Sequence, residues 1–210
     1  SHLNGNSSLS VSRSRLALAA MMAGRSSPFN VAAIGIARMF QLLSTIYSSV
    51  RVDRGNLCIK PLHYGLDSSE KASNSFVIGN AVAKVCAEKL LECPWLTHLS
   101  NTPGVILSGR GNTAPSKLQY HTTVKPAEKP DFIGVDKNGN YHVFESKGSC
   151  SSYNKSEMQH AIDQVSQVVS VNSTLPTTRV ACYAEASASE IKAHVIDPDA
   201  NEIGINVILD

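Results

Sequence analysis

Residues 130–147 read PDFIGVDKNGNYHVFESK, and the pairing of this one hairpin decides which side chains the fold brings together. β-Branched and aromatic residues on either side of Asp136-Lys137-Asn138-Gly139 predict two short strands, Asp131–Val135 and Tyr141–Lys147, joined by a turn. With Asp136 opening a type I turn and Gly139 closing it in the left-handed conformation, the loop holds three residues and Asp136 faces Asn140. Counting outward, Ile133 falls opposite Val143, Phe132 opposite Phe144 and Asp131 opposite Glu145, so an apolar ladder supports a pair of carboxylates. Strand alternation puts Lys147 on the face of Glu145. A two-residue Asn138-Gly139 loop would instead slip the pairing by one and turn Asp131 to the other face.

Two carboxylates and an ammonium converging at a strand end are poor core material, because their burial needs mutual pairing or a cation. Hard oxygen ligands beside an amine suit Mg²⁺ or Mn²⁺ and a water nucleophile. Pro130-Asp131 followed by Glu145-Ser146-Lys147 resembles the PD-(D/E)xK nuclease superfamily, the restriction endonuclease-like fold. The bland alternative is a surface hairpin with an ordinary salt bridge.

The resemblance implies that Asp131 and Glu145, with the backbone carbonyl of Ser146, bind one or two Mg²⁺ (or Mn²⁺) ions, and that Lys147 orients the attacking water and helps to deprotonate it. It further implies a role for Gln164, since some exonuclease-like members carry a glutamine on the following helix; the aromatic expected four residues later is replaced by Val168. An acidic residue on the preceding helix often joins the metal site, and Glu70 and Glu88, 18 residues or five turns apart, face one way as candidates. The implied activity is hydrolysis of DNA phosphodiesters, with RNA as an open alternative because the metal chemistry does not read the sugar. A non-catalytic nucleic-acid- or protein-binding module on the same fold is the alternative from another class, against which the complete Asp131, Glu145 and Lys147 set stands.

The chain has 210 residues, enough for one domain with a full core and some extension. A hydrophobic fraction of 42% with 17% charged residues excludes a disordered chain. A net charge of only +2 announces no overall attraction to nucleic acid, so a nuclease here must concentrate its cations on one face. Lys117, Lys125, Lys129 and Lys155 flank the proposed site in sequence. The five cysteines form no CxxC pair and no zinc spacing with histidine, which predicts free thiols in a reducing compartment. No Gly-x-Ser-x-Gly elbow and no Gly-x-x-x-x-Gly-Lys loop is present.

Leu16–Gly24 follows Arg13 and Arg15 in superficial imitation of a signal peptide, but the apolar run is short, and Arg38 breaks the next one, so a soluble protein is expected. The chain opens on Ser1 rather than Met. That fits a processed product or a piece of something longer, such as the toxin end of a secreted effector that acts in the cytoplasm and is held by an immunity protein; a homo-oligomer is the other partner considered.

Along the chain, residues 1–12 are Ser/Asn-rich and expected to be mobile. Helices are predicted at Ser14–Ala23, Phe29–Ser48, Glu70–Glu92 and Lys155–Val171, and strands at Leu57–Lys60, Gly104–Ser108, Lys117–Val124, Thr178–Ala184, Ala193–Asp197 and Ile203–Leu209. The expected architecture is α/β: an N-terminal helical extension over residues 1–50, then a domain over 51–210 with a mixed central β-sheet flanked by helices. The order helix, three strands, helix, strand resembles the restriction endonuclease-like core.

Overall fold

A computed structural model describes residues 6–99, 105, 107–109, 129–198 and 205–209. In chain order these form β1 (Asn6–Leu9), α1 (Arg13–Met22), α2 (Pro28–Ala32), α3 (Ile36–Ser49), β2 (Val50–Asp53), β3 (Asn56–Ile59), a 3₁₀ turn at Pro61–Gly65, α4 (Ser68–Leu91), β4 (Trp95–His98), β5 (Leu107–Gly109), β6 (Phe132–Val135), β7 (Tyr141–Ser149), α5 (Lys155–Ser166), β8 (Val168–Val171), β9 (Thr178–Ala186), β10 (Ile191–Ile196) and β11 (Ile205–Leu209). The central sheet is mixed and has seven strands in the order β1-β11-β10-β9-β7-β6-β4. β7 and β9 run parallel, as do β1 and β11, and the other neighbours are antiparallel.

Alternation along β6 and β7 divides the core between two helical layers. Phe132 and Phe144 join Val180 and Cys182 under α1 and α4, with Leu16, Ile78, Val82 and Val85 fully buried against them. Ile133 and Val143 point the other way and pack with Ala181 and Tyr183 beneath Met158, Ala161 and Val165 of α5. At about 25 cal/mol per Å² of apolar surface removed from water, these two layers supply the main driving force for folding. α1 shares the core of α4 through Leu16, Ala17, Ala19 and Ala20.

Local chemistry sets the helix ends. The Asp67 carboxylate caps α4 by accepting the N–H groups of Ser69 and Glu70 at 2.8 and 3.0 Å. Sequence alone offers Ser68 or Ser69 as the cap; aspartate holds it one or two residues earlier. Asn154 caps α5 in the same way, accepting from Ser156 and Glu157 at 3.0 and 3.3 Å.

Four expectations are corrected. The helix predicted over Phe29–Ser48 is broken between α2 and α3, with Gly35 at the N-cap of α3. The helix predicted to reach Val171 stops at Ser166, and the β-branched run Val168–Val171 is instead a strand that pairs antiparallel with β5 outside the central sheet. Residues Asn6–Leu9, expected to be mobile, form an edge strand parallel to β11. Finally, the strand beside β6 is Trp95–His98, which no sequence signal singled out; the strand predicted at Lys117–Val124 lies outside the described residues. Among the described residues no helix is long and apolar enough to cross a membrane.

Candidate active site

The turn between β6 and β7 has the geometry its residues demand. Gly139 adopts a φ of 83°, its N–H donates to the Asp136 carbonyl at 3.1 Å, and the Asp136 N–H donates to the Asn140 carbonyl at 3.1 Å. The Asp136 carboxylate accepts the N–H groups of Asn138 and Asn140 at 2.8 and 2.9 Å, closing the loop from inside. The resulting register is Phe132 opposite Phe144, Ile133 opposite Val143, Gly134 opposite His142 and Val135 opposite Tyr141. One step further, Asp131 meets Glu145.

The backbone fixes both carboxylates there. The Asp131 N–H donates to Glu145 Oε2 at 3.0 Å, and the Ser146 N–H donates to Asp131 Oδ2 at 3.1 Å. The Asp131 carbonyl accepts the Leu99 N–H at 2.9 Å, so the residue is tied to strands on both sides. Lys147 reaches back along β7 and donates to Glu145 Oε1 at 2.7 Å and to Gln164 Oε1 at 3.1 Å. The Gln164 amide nitrogen in turn donates to the Lys129 carbonyl at 3.3 Å, clamping α5 to the segment that leads into Asp131. Glu145, Lys147 and Gln164 are therefore joined side chain to side chain, and Asp131 is joined to them through its own N–H and that of Ser146.

Burial governs its electrostatics. Glu145 is 2% exposed, and burial together with the neighbouring Asp131 charge pushes its carboxyl up to about 7, against the opposing hydrogen bond from Lys147. Burial likewise raises Asp131, opposed by the Ser146 N–H and by the charges of Lys147 and His98. A single ammonium is thus too little positive charge for one buried and one half-buried carboxylate. Hard oxygens with a deficit of positive charge fit Mg²⁺ or Mn²⁺, with Asp131, Glu145 and the Ser146 carbonyl as the donors the sequence offers. No group of three His, Cys, Asp or Glu side chains is assembled for a metal among the described residues, which leaves a two-carboxylate set to be completed by carbonyl and water.

Asp131 and residues 145–149 line a cleft of about 430 Å³ whose other wall is Ala72, Ser75 and Phe76 of α4. A second cavity, of about 440 Å³, begins at Lys147, Gly148 and Ser149 and runs along Tyr153 to the start of α5. Neither acidic candidate of α4 is in the cleft wall. Glu88 is paired with Lys84 and Arg15 at the other end of the helix, and Glu70 lines a different cavity with His63 and Asn74. Gln159 is turned away and bonds Asp163 at 2.9 Å. His142 lies on the opposite face from Glu145, bonding Thr178 Oγ1 through Nδ1 at 2.9 Å.

Sequence reading missed the α4 contribution. Gly148, whose small and polar neighbours predict a flexible segment, lies in β7 against α4: a Cβ on it would stand 2.2 Å from the Ser75 carbonyl oxygen and 3.0 Å from Gly79 Cα. Ser75 also accepts the Cys150 N–H at 3.2 Å. These contacts bring α4 against β7 immediately beside Lys147. No family model, curated protein or solved structure matches the chain.

Proposed function

We propose that this chain is a metal-dependent nuclease of the restriction endonuclease-like class that hydrolyses phosphodiester bonds of DNA. The observation that carries the reading is Lys147 Nζ held between Glu145 Oε1 and Gln164 Oε1 at 2.7 and 3.1 Å, beside an Asp131 carboxylate on the paired strand. Within the central sheet, the order α4, antiparallel β4-β6-β7, α5 and then β9 parallel to β7, with β5 and β8 paired outside that sheet, supports it, because this is the helix, three strands, helix, strand arrangement expected of that class.

A bound Mg²⁺ or Mn²⁺ would lower the pKa of a water and offset charge building on the phosphate. The chain's own residues do the remainder. Asp131 and Glu145 hold their oxygens at fixed positions through the backbone clasp, so little reorganisation is needed when substrate arrives. Lys147, braced by Gln164, orients the attacking water at its ammonium and takes part in moving its proton. The cleft between α4 and the strand ends admits the phosphate.

Incubation of the purified chain with plasmid and single-stranded DNA, in Mg²⁺, Mn²⁺ and EDTA, tests the assignment. Cleavage that requires the divalent ion and disappears in Glu145→Gln and Asp131→Asn is expected. Metal-independent cleavage, or full activity in both variants, would sink it.

A further inference from the structure

Phe76 stands at the junction of two cavities. Its ring is 57% exposed on α4 and lines the carboxylate cleft on one side; on the other it walls a smaller pocket of about 130 Å³ together with Arg25, Arg38, Asn80 and His98. That volume corresponds to only about four waters at their share of the liquid, so it suits a phosphate-sized group and not a larger ligand.

The charge of this pocket is one-sided. Arg25 and Arg38 line it together with the apolar side chains of Ala20, Ala23, Leu42, Val77 and Phe132, and no carboxylate lines it among the described residues. Arg25 Nε and Asn80 Oδ1 are buried without a hydrogen-bond partner among the described residues, a donor and an acceptor left unmet on two residues that line one pocket. Arg38 is positioned by its hydrogen bond to Gln41 Oε1 at 2.7 Å. Arg25 is not on a loose arm: the preceding Gly24 N–H donates to the Leu96 carbonyl of β4 at 2.9 Å. The cavity on the far side of Lys147 is less suited to a phosphate, since Lys155 there is accompanied by Glu157.

We infer that this pocket is a backbone-phosphate site for the nucleic-acid strand that leaves the cleft. Arg25 and Arg38 clamp a phosphate near the cut, Asn80 accepts a hydrogen bond from an N–H of the adjoining base, and Phe76 stacks on the base between the two sites. The N-terminal helices thereby extend the substrate track. The inference rests on the nuclease reading above and adds to it the path of the strand.

The test measures binding of a fluorescein-labelled single-stranded DNA 12-mer, and of the RNA of the same sequence, by anisotropy in Ca²⁺ at several salt concentrations, with single-turnover cleavage in Mg²⁺ alongside. Arg25→Ala/Arg38→Ala and the exposed single variant Arg38→Gln are expected to weaken binding, the double by about tenfold or more, and to flatten the salt dependence by about 0.7 in log–log slope for each phosphate no longer neutralised. Phe76→Ala is expected to weaken it about tenfold. The cleavage rate at saturating protein should stay within about threefold of wild type in the two arginine variants. Lys89→Ala, which removes an exposed cation about 20 Å further along α4, controls for net charge. Wild-type cleavage with binding and salt slope unchanged in the Arg38 and double variants, or changed equally by Lys89→Ala, overturns the track while leaving the nuclease reading intact. A wild-type chain that neither binds nor cuts either strand removes both.

Discussion

The Asp131 N–H donates to the Glu145 carboxylate at 3.0 Å, while the Asp131 carboxylate accepts the N–H of Ser146, the next residue after Glu145, at 3.1 Å. Each acid is thus held by the other's strand. Backbone N–H groups hold both acids, with Lys147 bonded to Glu145 alone, so replacing either acid by its amide should leave the fold standing. Glu145→Gln is expected to abolish Mg²⁺-dependent cleavage and, at pH 8 in EDTA, to raise the thermal midpoint above wild type by removing a buried charge that sits beside the like charge of Asp131. A midpoint well below wild type would show that the Lys147–Glu145 pair stabilises more than burial of the second charge costs.

The pH dependence of the metal-free protein follows from the same pair. Glu145, pushed up to about 7 in the fold, ionises near 4.5 when exposed, so between those values the folded state keeps a proton that the unfolded chain has lost. Stability from this group is fully present below about pH 4.5 and is lost as pH rises through about 7, by an amount on the order of 3 kcal/mol. Asp131 is raised too and works in the same direction. Denaturant titrations in EDTA should show wild type weakening from pH 5 to pH 7.5 and Glu145→Gln weakening less over the same range. Mg²⁺ should reverse the trend, since binding requires both groups ionised. A wild-type profile that strengthens over this range would contradict the burial argument.

A third expectation concerns Gly148. A side chain there meets the Ser75 carbonyl oxygen at 2.2 Å and the Gly79 Cα at 3.0 Å, both backbone atoms that cannot rotate away. Gly148→Ala should lift α4 from β7, lower stability by about 1–3 kcal/mol or more, and reduce cleavage along with it. Gly139→Ala gives the contrast. At a φ of 83° with no atom of another described residue within 4 Å of a Cβ built there, that residue carries only a local backbone cost of about 1 kcal/mol, and activity should be kept. Equal melting temperatures for Gly148→Ala and wild type would mean that α4 is not seated on β7 as described.

The hairpin register is legible in the sequence because turn chemistry acts over five residues, and Asp136 and Gly139 carry it without help from the rest of the chain. Trp95–His98 is not, because four residues directly after Pro94 offer too little alternation to mark a strand; pairing with β6 creates it. Val168, Val169 and Val171 continue the apolar spacing of α5, and only their pairing with β5 makes them a strand. The parts of the site that depend on α4 are hidden for a related reason. That Ser75 and Phe76, rather than Glu70 or Glu88, line the carboxylate cleft depends on how the helix is seated, and Gly79 against Gly148 is a contact between residues 69 positions apart.

The last prediction separates a catalytic Lys147 from a structural one. Its ammonium bonds Glu145 and Gln164, and its side chain is 22% exposed, enough to meet a water or a phosphate in the cleft. If it serves only to neutralise the carboxylates, Lys147→Gln should leave metal-dependent turnover nearly intact, because the divalent ion supplies that charge. If it orients the water and handles its proton, the single-turnover rate should fall by about 10²–10⁴-fold while DNA binding in Ca²⁺ persists. The second outcome is expected. Gln164→Leu gives an independent check: it removes the brace on Nζ and the clamp on Lys129 but leaves the ammonium in place, so the rate should fall by about tenfold, less than for Lys147→Gln, with binding again kept. Unchanged cleavage in Lys147→Gln, or loss of binding and cleavage in the same proportion, would make Lys147 a charge-balancing or phosphate-positioning residue instead.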